Sequence, residues 1–485
     1  MKLKLLRPSL CSAAAKAASS SSSAVNDVCG DLTLSVKPFT EIPGPKSLPG
    51  IGTLHNYLPF IGKYSFDRLH HNGKSKLNEF GSLVKEEIIP GVFVVWVFSV
   101  EDIETVYASE GQHPLRRSHL ILEKYRKDHP HIYNSGGLLP TNGLKWMELR
   151  KGFQKGLSRV QDVRLFLPEI NSIMQDFIEF RLKSQSHHDD FLPDLSRLFL
   201  EPPQFAITLL CFRLNSFSPE EKDSSSKSSC LIDAAFTVNS CILKSDNGPQ
   251  LWKRFRTPII RSLKQHIAIL KSNYFKFITS DLKSNTSSNQ KFFIFQSSYT
   301  SSFALYHLAK NRESQDLVHK EVKKLMNTHN SDGTITAEML KNAPYTKAVV
   351  KEVLRMNPIS VGIGRILAKD AVLSNYFVPK GTTVVTQNQV SCRLPEYFKN
   401  PEEFRPERWL KTSPLYQPVS PYLVLPFGHG PRACIARRLV EQELCVLIMK
   451  VNFQIEWNGK ETLDSKSYLI NKPDGPISLS FLRRT

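Results

Sequence analysis

The chain has no Cys-x-x-Cys pair, no acidic residue before Asp27 and no uninterrupted apolar stretch of about 18 residues. Its eight cysteines, Cys11, Cys29, Cys211, Cys230, Cys241, Cys392, Cys434 and Cys445, show no paired spacing. That argues against a disulfide framework or a zinc module and for a reducing compartment. Without a long apolar run, a secretory or membrane anchor fits poorly. The most apolar segment, 92–98, is short, β-branched and aromatic, and reads as a buried strand. No Pro/Gly-rich linker divides the middle and no internal repeat is visible. Although 485 residues could make about three domains, one large domain serves as well.

What is abundant is positive charge. Sixty-four Lys and Arg against 45 Asp and Glu give +19, which suggests an acidic partner: a protein, anionic lipid or nucleic acid. The first 26 residues carry Lys2, Lys4, Arg7 and Lys16 among Ala and Ser, the composition of a mitochondrial transit peptide able to form a basic amphipathic helix. We expect residues 1–35 to be that segment, without fixed structure, and 36–485 to be a single domain.

The pattern of the domain is mainly helical with a minor β part. Pro43, Gly44, Pro45 and Pro49 impose an extended start, since proline fixes φ and excludes helix. Strands are expected at 84–88 and 91–97, then mostly helix over 103–280, with a loop at 216–229. Helical periodicity returns at 303–326 and 337–356. Short strands follow between 371 and 387, then a final long helix over about 435–453 and terminal strands.

The chemistry concentrates in Phe427-Gly428-His429-Gly430-Pro431-Arg432-Ala433-Cys434-Ile435-Ala436. A cysteine in a tight Gly/Pro turn ahead of a helix is placed for backbone N–H groups and the helix dipole to offset a thiolate's charge. Such a thiolate can bind haem iron and push electron density toward O–O cleavage. A buried cysteine after a Gly-rich loop is the plain alternative. His429 reads as a loop residue rather than a ligand. A second motif, Glu352 and Arg355, lies three apart on one helix face. By itself it is weak, since Glu123…Arg126 and Glu402…Arg405 fit it too. What lifts it is Pro406-Glu407-Arg408-Trp409, between that helix and Cys434.

These motifs, in this order, resemble the cytochrome P-450 family. Its signature Phe-x-x-Gly-x-Arg-x-Cys-x-Gly/Ala is matched at Phe427, Gly430, Arg432, Cys434 and Ala436. Most members have glycine where this chain has Ala436, which is still small enough for close approach to a porphyrin. The resemblance implies a haem b held between a long distal helix and the helix after the cysteine loop, with Cys434 as iron ligand and O2 as co-substrate. It implies that Arg408 closes a buried triad with Glu352 and Arg355, and that Trp146, Arg150, Arg365 and Arg432 meet the haem propionates. Lys347 and Lys351, four apart on one face, and Arg437 and Arg438 resemble the basic face with which mitochondrial members bind an adrenodoxin-type ferredoxin, itself served by a ferredoxin reductase. A solvated basic face is the plain alternative; the transit-like start favours the docking face. The runs 137–143, 239–243, 376–388 and 421–430 further resemble arthropod mitochondrial ecdysteroid 22-hydroxylases. They imply a steroid substrate oxidised at C22, on the matrix side of the inner mitochondrial membrane with peripheral membrane contact. Substrate contacts are expected from 117–133, 360–363 and 470–472.

The oxygen-activating segment departs from the family. Where it has a small-residue gap followed by an acid and a threonine that relay protons, this chain has Phe292, Phe293, Ile294, Phe295, Gln296 and Ser297, preceded by the polar stretch 284–290. No catalytic residue is assigned there, and the helix is expected to be disrupted near 273–300. Two readings stand: an exon absent from this sequence, which the family-like flanks favour, or a protein that has lost proton delivery. Three functions therefore compete. They are a steroid monooxygenase, a haem-binding but catalytically impaired sterol binder, and a basic nucleic-acid or membrane-surface protein. The last predicts a basic stripe interleaved with aromatics. Here the basic residues instead cluster on helices expected around Cys434, so nucleic acid is not expected as a partner.

Overall fold

The computed structural model describes residues 36–154, 156–178, 227–248, 250–281, 297–329, 332–451, 453–459 and 462–484. The expected transit segment and Phe292–Gln296 lie outside them. The flanks of the expected break are helices, Pro258–Asp281 and Ser297–Lys310. Residues Lys37–Thr485 cluster as one unit.

The described strands are β1 (Leu83–Ile89), β2 (Val92–Val97), β3 (Ile363–Ile366), β4 (Ala371–Leu373), β5 (Tyr376–Val378), β6 (Thr383–Thr386), β7 (Phe453–Trp457), β8 (Ser465–Ser467), β9 (Asn471–Pro473) and β10 (Leu479–Arg483). β1 and β2 form a hairpin across Pro90-Gly91, where Gly91 takes φ +76°. β2 then pairs in parallel with β6 and β6 antiparallel with β3, giving the order β1-β2-β6-β3. β4–β5, β8–β9 and β7–β10 are separate antiparallel pairs. The sheet positions Arg365, which β3 carries.

The helical part is built around Ser297–Lys310, buried continuously from Ser298 to Leu308. Phe303, Ala304 and Leu308 share one apolar core with Val349 and Val353 of helix Pro344–Met356 and with Leu439, Leu444 and Ile448 of helix Arg437–Lys450. Helix Pro344–Met356 is buried on every side except one stripe, Pro344, Lys347 and Lys351. It is thus a core helix with a single wet edge.

The mainly α architecture with minor sheets matches expectation, while several boundaries do not. The final helix begins at Arg437, because Cys434, Ile435 and Ala436 are held in the turn, and it ends at Lys450, because Phe453 opens β7. The 337–356 pattern is two helices, Ala337–Lys341 and Pro344–Met356. Proline lacks the N–H an interior helical position needs and disfavours helical geometry in the residue before it. The expected 216–229 loop falls mostly outside the described residues, but a helix already starts at Lys227.

Candidate haem-thiolate site

Two glycines shape the cysteine loop. Gly428 (φ +73°) and Gly430 (φ +70°) turn the backbone where a side chain would be strained. The loop closes as the Cys434 N–H donates to Phe427 O at 2.7 Å and Ala433 N–H to Gly430 O at 3.0 Å. Cys434 retains solvent-accessible surface yet is largely surrounded by protein. Burial raises its pKa. Backbone N–H groups of Ala436 and Arg437 and the charges of Arg150 and Arg437 oppose that rise. By contrast Cys392 and Cys445 are buried with thiols pushed up to about 12. Of Cys241, Cys392, Cys434 and Cys445, Cys434 is the accessible one. Phe427 lies against the helical core, and the Arg437 guanidinium sits 5.6 Å from its ring centre. Ala436 is buried at the helix N-cap. His429 packs its ring on Tyr422 and Tyr107.

Around this loop stand four arginines. Trp146 and Arg150 lie one turn apart on helix Gly143–Gln154. Trp146 is buried beneath the Arg432 guanidinium, 4.4 Å from its ring centre. Arg432 donates to Asn142 Oδ1 at 2.9 Å and to Thr141 O. Arg365, buried on β3, is ion-paired with Glu110 and lies 5.3 Å over the Tyr107 ring. Arg116 is brought to Arg365 by the bridge between Leu115 and Ile366, and donates to Leu139 O at 2.8 Å. Burial, reinforced by the neighbouring arginines, pushes Arg432 down to about 9 and Arg116 down to about 10. Nε of Arg150 and both Nε and Nη1 of Arg432 are buried without a hydrogen-bond partner. Buried donors need acceptors and a buried cation an anion, so the Arg150 and Arg432 donors suit an anionic ligand. Arg116, Glu110 and Asn142 were not foreseen. No local motif marks Arg116 or Glu110, because tertiary pairing brings them in; Asn142 lies in the 137–143 run but was given no role there.

The Glu352 carboxylate is fully buried and joins Arg355 and Arg408. Arg355 meets it at 2.8 and 2.9 Å and Arg408 at 3.0 Å; Arg405 N–H and Trp409 Nε1 add bonds of 3.0 and 2.9 Å. Burial by itself would raise the Glu352 pKa. The hydrogen bonds and charges of Arg355 and Arg408 outweigh it and hold the carboxyl below the usual range. The rival Glu-x-x-Arg spacings do not pair this way. Glu123 pairs with Lys127 and Arg126 donates to Gly136 O, while Glu402 pairs with Arg393 and Arg405 with Glu403. Lys347, Lys351, Arg437 and Arg438 are all exposed. Lys347 Nζ donates to Lys341 O at 2.8 Å, and Arg437 pairs with Glu441 at 2.9 Å.

Comparison with known proteins decides the family. The chain is 41% identical over 479 residues, 92% of its length, to the mitochondrial cytochrome P-450 302a1 of Drosophila melanogaster, 96% of which is covered. The chain belongs to the cytochrome P-450 family. The profile of that family, Cytochrome P-450, matches residues 296–481. Other relatives are the probable mitochondrial cytochrome P-450 301a1 (28% over 496 residues, 92% of this chain and 87% of that one) and ecdysone 20-monooxygenase (26% over 473 residues, 90% and 88%), both from Drosophila melanogaster. P-450 enzymes are haem-thiolate monooxygenases that use O2, and the residues here fit that group. An accessible thiol with two N–H donors stands beside partnerless buried arginine donors, the donor set for an iron and two propionates.

Proposed function

We propose that this P-450 monooxygenase hydroxylates a sterol-derived substrate, an ecdysteroid precursor at C22, with electrons from an adrenodoxin-type ferredoxin and its reductase. The observation that carries the reading is the Cys434 thiol set among Arg116, Arg150, Arg365 and Arg432, with buried arginine donors lacking partners. When bound, haem b would supply the O2 activation that oxidises an unactivated C–H bond. Cys434 would be its iron ligand, Arg150 and Arg432 would hold propionate oxygens, and Trp146 would fix the Arg432 guanidinium in place. Arg365, engaged by Glu110, would lend charge to that edge. The Glu352 network would hold the loop 399–417 against the helix that packs on the cysteine helix.

The steroid assignment draws on the 22-hydroxylase-like runs and on the likeness to ecdysone 20-monooxygenase. Exposed Lys347 and Lys351 support an acidic redox partner. Mitochondrial relatives and the basic start support a mitochondrial location, on the matrix side of the inner membrane. No helix among the described residues is long and apolar enough to cross a membrane. The exposed Leu48, Ile51, Leu58, Phe60 and Ile61 support peripheral contact with one.

A second reading, a haem-binding but catalytically impaired sterol binder, is favoured by Phe292, Phe293, Phe295 and Gln296 in place of the proton relay. The test uses this chain and the protein translated from the sequenced transcript, each with ferredoxin, reductase and a 22-deoxy ecdysteroid. The expected result is a haem-thiolate spectrum and a substrate-induced shift, with efficient 22-hydroxylation only where the small-residue and threonine run is restored. Full activity of this chain would refute the impaired reading. A transcript-derived protein that carries that run yet leaves the ecdysteroid unoxidised would refute the substrate assignment.

A further inference from the structure

Far along the chain from the haem motifs, the first turn of helix Leu69–Phe80 turns two imidazoles toward one carboxylate. His70 Nε2 lies 2.9 Å from Asp464 Oδ1, and His71 Nε2 lies 2.6 Å from Asp464 Oδ2. All three ligand atoms lie within 4.8 Å of one another, and this is a possible metal-ligand group found among the described residues. We propose that His70, His71 and Asp464 bind one zinc ion, with water completing the coordination.

The donor types suit the ion. Neutral imidazole nitrogen and carboxylate oxygen are zinc ligands at about 2.0–2.2 Å, which places the donors of a tetrahedral site roughly 3.3 Å apart. Against that spacing, the His70–Asp464 distance of 2.9 Å has to open by roughly 0.4 Å and the His71–Asp464 distance of 2.6 Å by roughly 0.7 Å. The donors are also pre-aimed. Asp464 Oδ1 accepts the Ser465 N–H at 2.7 Å, and Arg68 holds Oδ2 at 3.2 Å while gripping Asp474 at 2.9 Å. Those contacts act as an outer shell that orients the carboxylate and can persist with a metal present. An entry path exists, because the His71 side chain is 59% exposed and Asp464 34%.

The location gives the site a consequence. Asp464 sits at the base of the β8–β9 hairpin, whose Ser467 N–H is bound to Asp67 O at 2.8 Å. The same hairpin projects Leu469, at φ +69°, into the apolar cluster beside Leu120, Leu122 and Tyr133. Zinc would replace two hydrogen bonds at the hairpin base with coordinate bonds and so fix the hairpin to the helix start.

The test titrates chelator-treated full-length holoprotein with zinc chloride by calorimetry, followed by zinc X-ray absorption. The expected outcome is one saturable equivalent with a nitrogen/oxygen shell and slowed amide exchange across 464–474. His71→Ala, which alters an exposed side chain, and Asp464→Asn should each weaken binding more than about 100-fold. Losing a ligand must cost at least as much as losing an outer-shell partner, worth roughly 10–100-fold. No saturable equivalent, a sulfur-containing shell or unchanged affinity in His71→Ala would overturn the proposal.

Discussion

Replacing Glu352 by alanine would leave Arg355 and Arg408, exposed by 0% and 2%, without the anion between them. Five hydrogen bonds would vanish: two from Arg355 and one each from Arg408, Arg405 N–H and Trp409 Nε1. The arginines would keep carbonyl partners, Arg355 on Cys392 and Pro401 and Arg408 on Lys399. Most of the loss is therefore uncompensated charge rather than stranded donors. Breaking a buried pair in this way costs roughly 3–5 kcal/mol, against a total of about 5–15 for a typical protein. Glu352→Gln should behave similarly, since an amide NH2 would face donors where a carboxylate oxygen now accepts. The assay is urea unfolding of the purified protein together with haem content after expression. Both variants should lose a large part of the midpoint and most of the holoprotein. Normal haem content with a stability change below about 1 kcal/mol would show that the pair acts as a surface pair does, and the reasoning would fail.

Cys434→Ala and Cys434→His should abolish the thiolate-type spectrum of the reduced carbon monoxide complex, and its retention in either would remove Cys434 as iron ligand. Charge reversal of Lys347 and Lys351 to Glu should weaken ferredoxin binding and its salt dependence while haem content stays normal, because both side chains are exposed; equal ferredoxin-supported turnover would discard that docking face. His307, buried with Nε2 2.7 Å from Asn357 Oδ1 and stacked on Phe404, has its pKa lowered by burial to about 4. Its folded value is depressed, so its contribution is present above pH ~6.5 and is lost as pH falls toward 4, by on the order of 3 kcal/mol. His307→Gln should flatten that part of the stability–pH curve, and an unaltered slope would count against the assignment.

Linear motifs were legible from the residues themselves, whereas spatial meetings such as Glu352 with Arg408 were legible only through the family resemblance. The turn at Gly428 and Gly430 and the Glu352–Arg355 spacing lie within a few residues of each other, so local geometry suffices to read them. Arg116 and Glu110 join the site only through the pairing of Leu115 with Ile366, and His70 meets Asp464 across 394 positions. No periodicity reports such meetings. Helix ends were misread where a tertiary demand overrode propensity: Ile435 and Ala436 have apolar helical character, but the sulfur claims the backbone N–H groups that a longer helix would absorb.

Helix Pro344–Met356 has an alanine at its N-cap and no local side chain to receive its first N–H groups. Glu321, from the earlier helix Arg312–His329, supplies both acceptors: Oε1 for Tyr345 N–H at 2.7 Å and Oε2 for Thr346 N–H at 2.9 Å. A segment of 13 residues is too short to hold itself helical in water. The cap arrives only when the two helices dock, so nucleation of this helix is a tertiary event. Glu352 can be aimed at Arg408 only after that docking. The expected order of folding is therefore the Glu321 contact first and assembly of the cysteine loop's support later. An isolated 344–356 peptide should be a coil, and Glu321→Ala should slow refolding rather than merely speed unfolding.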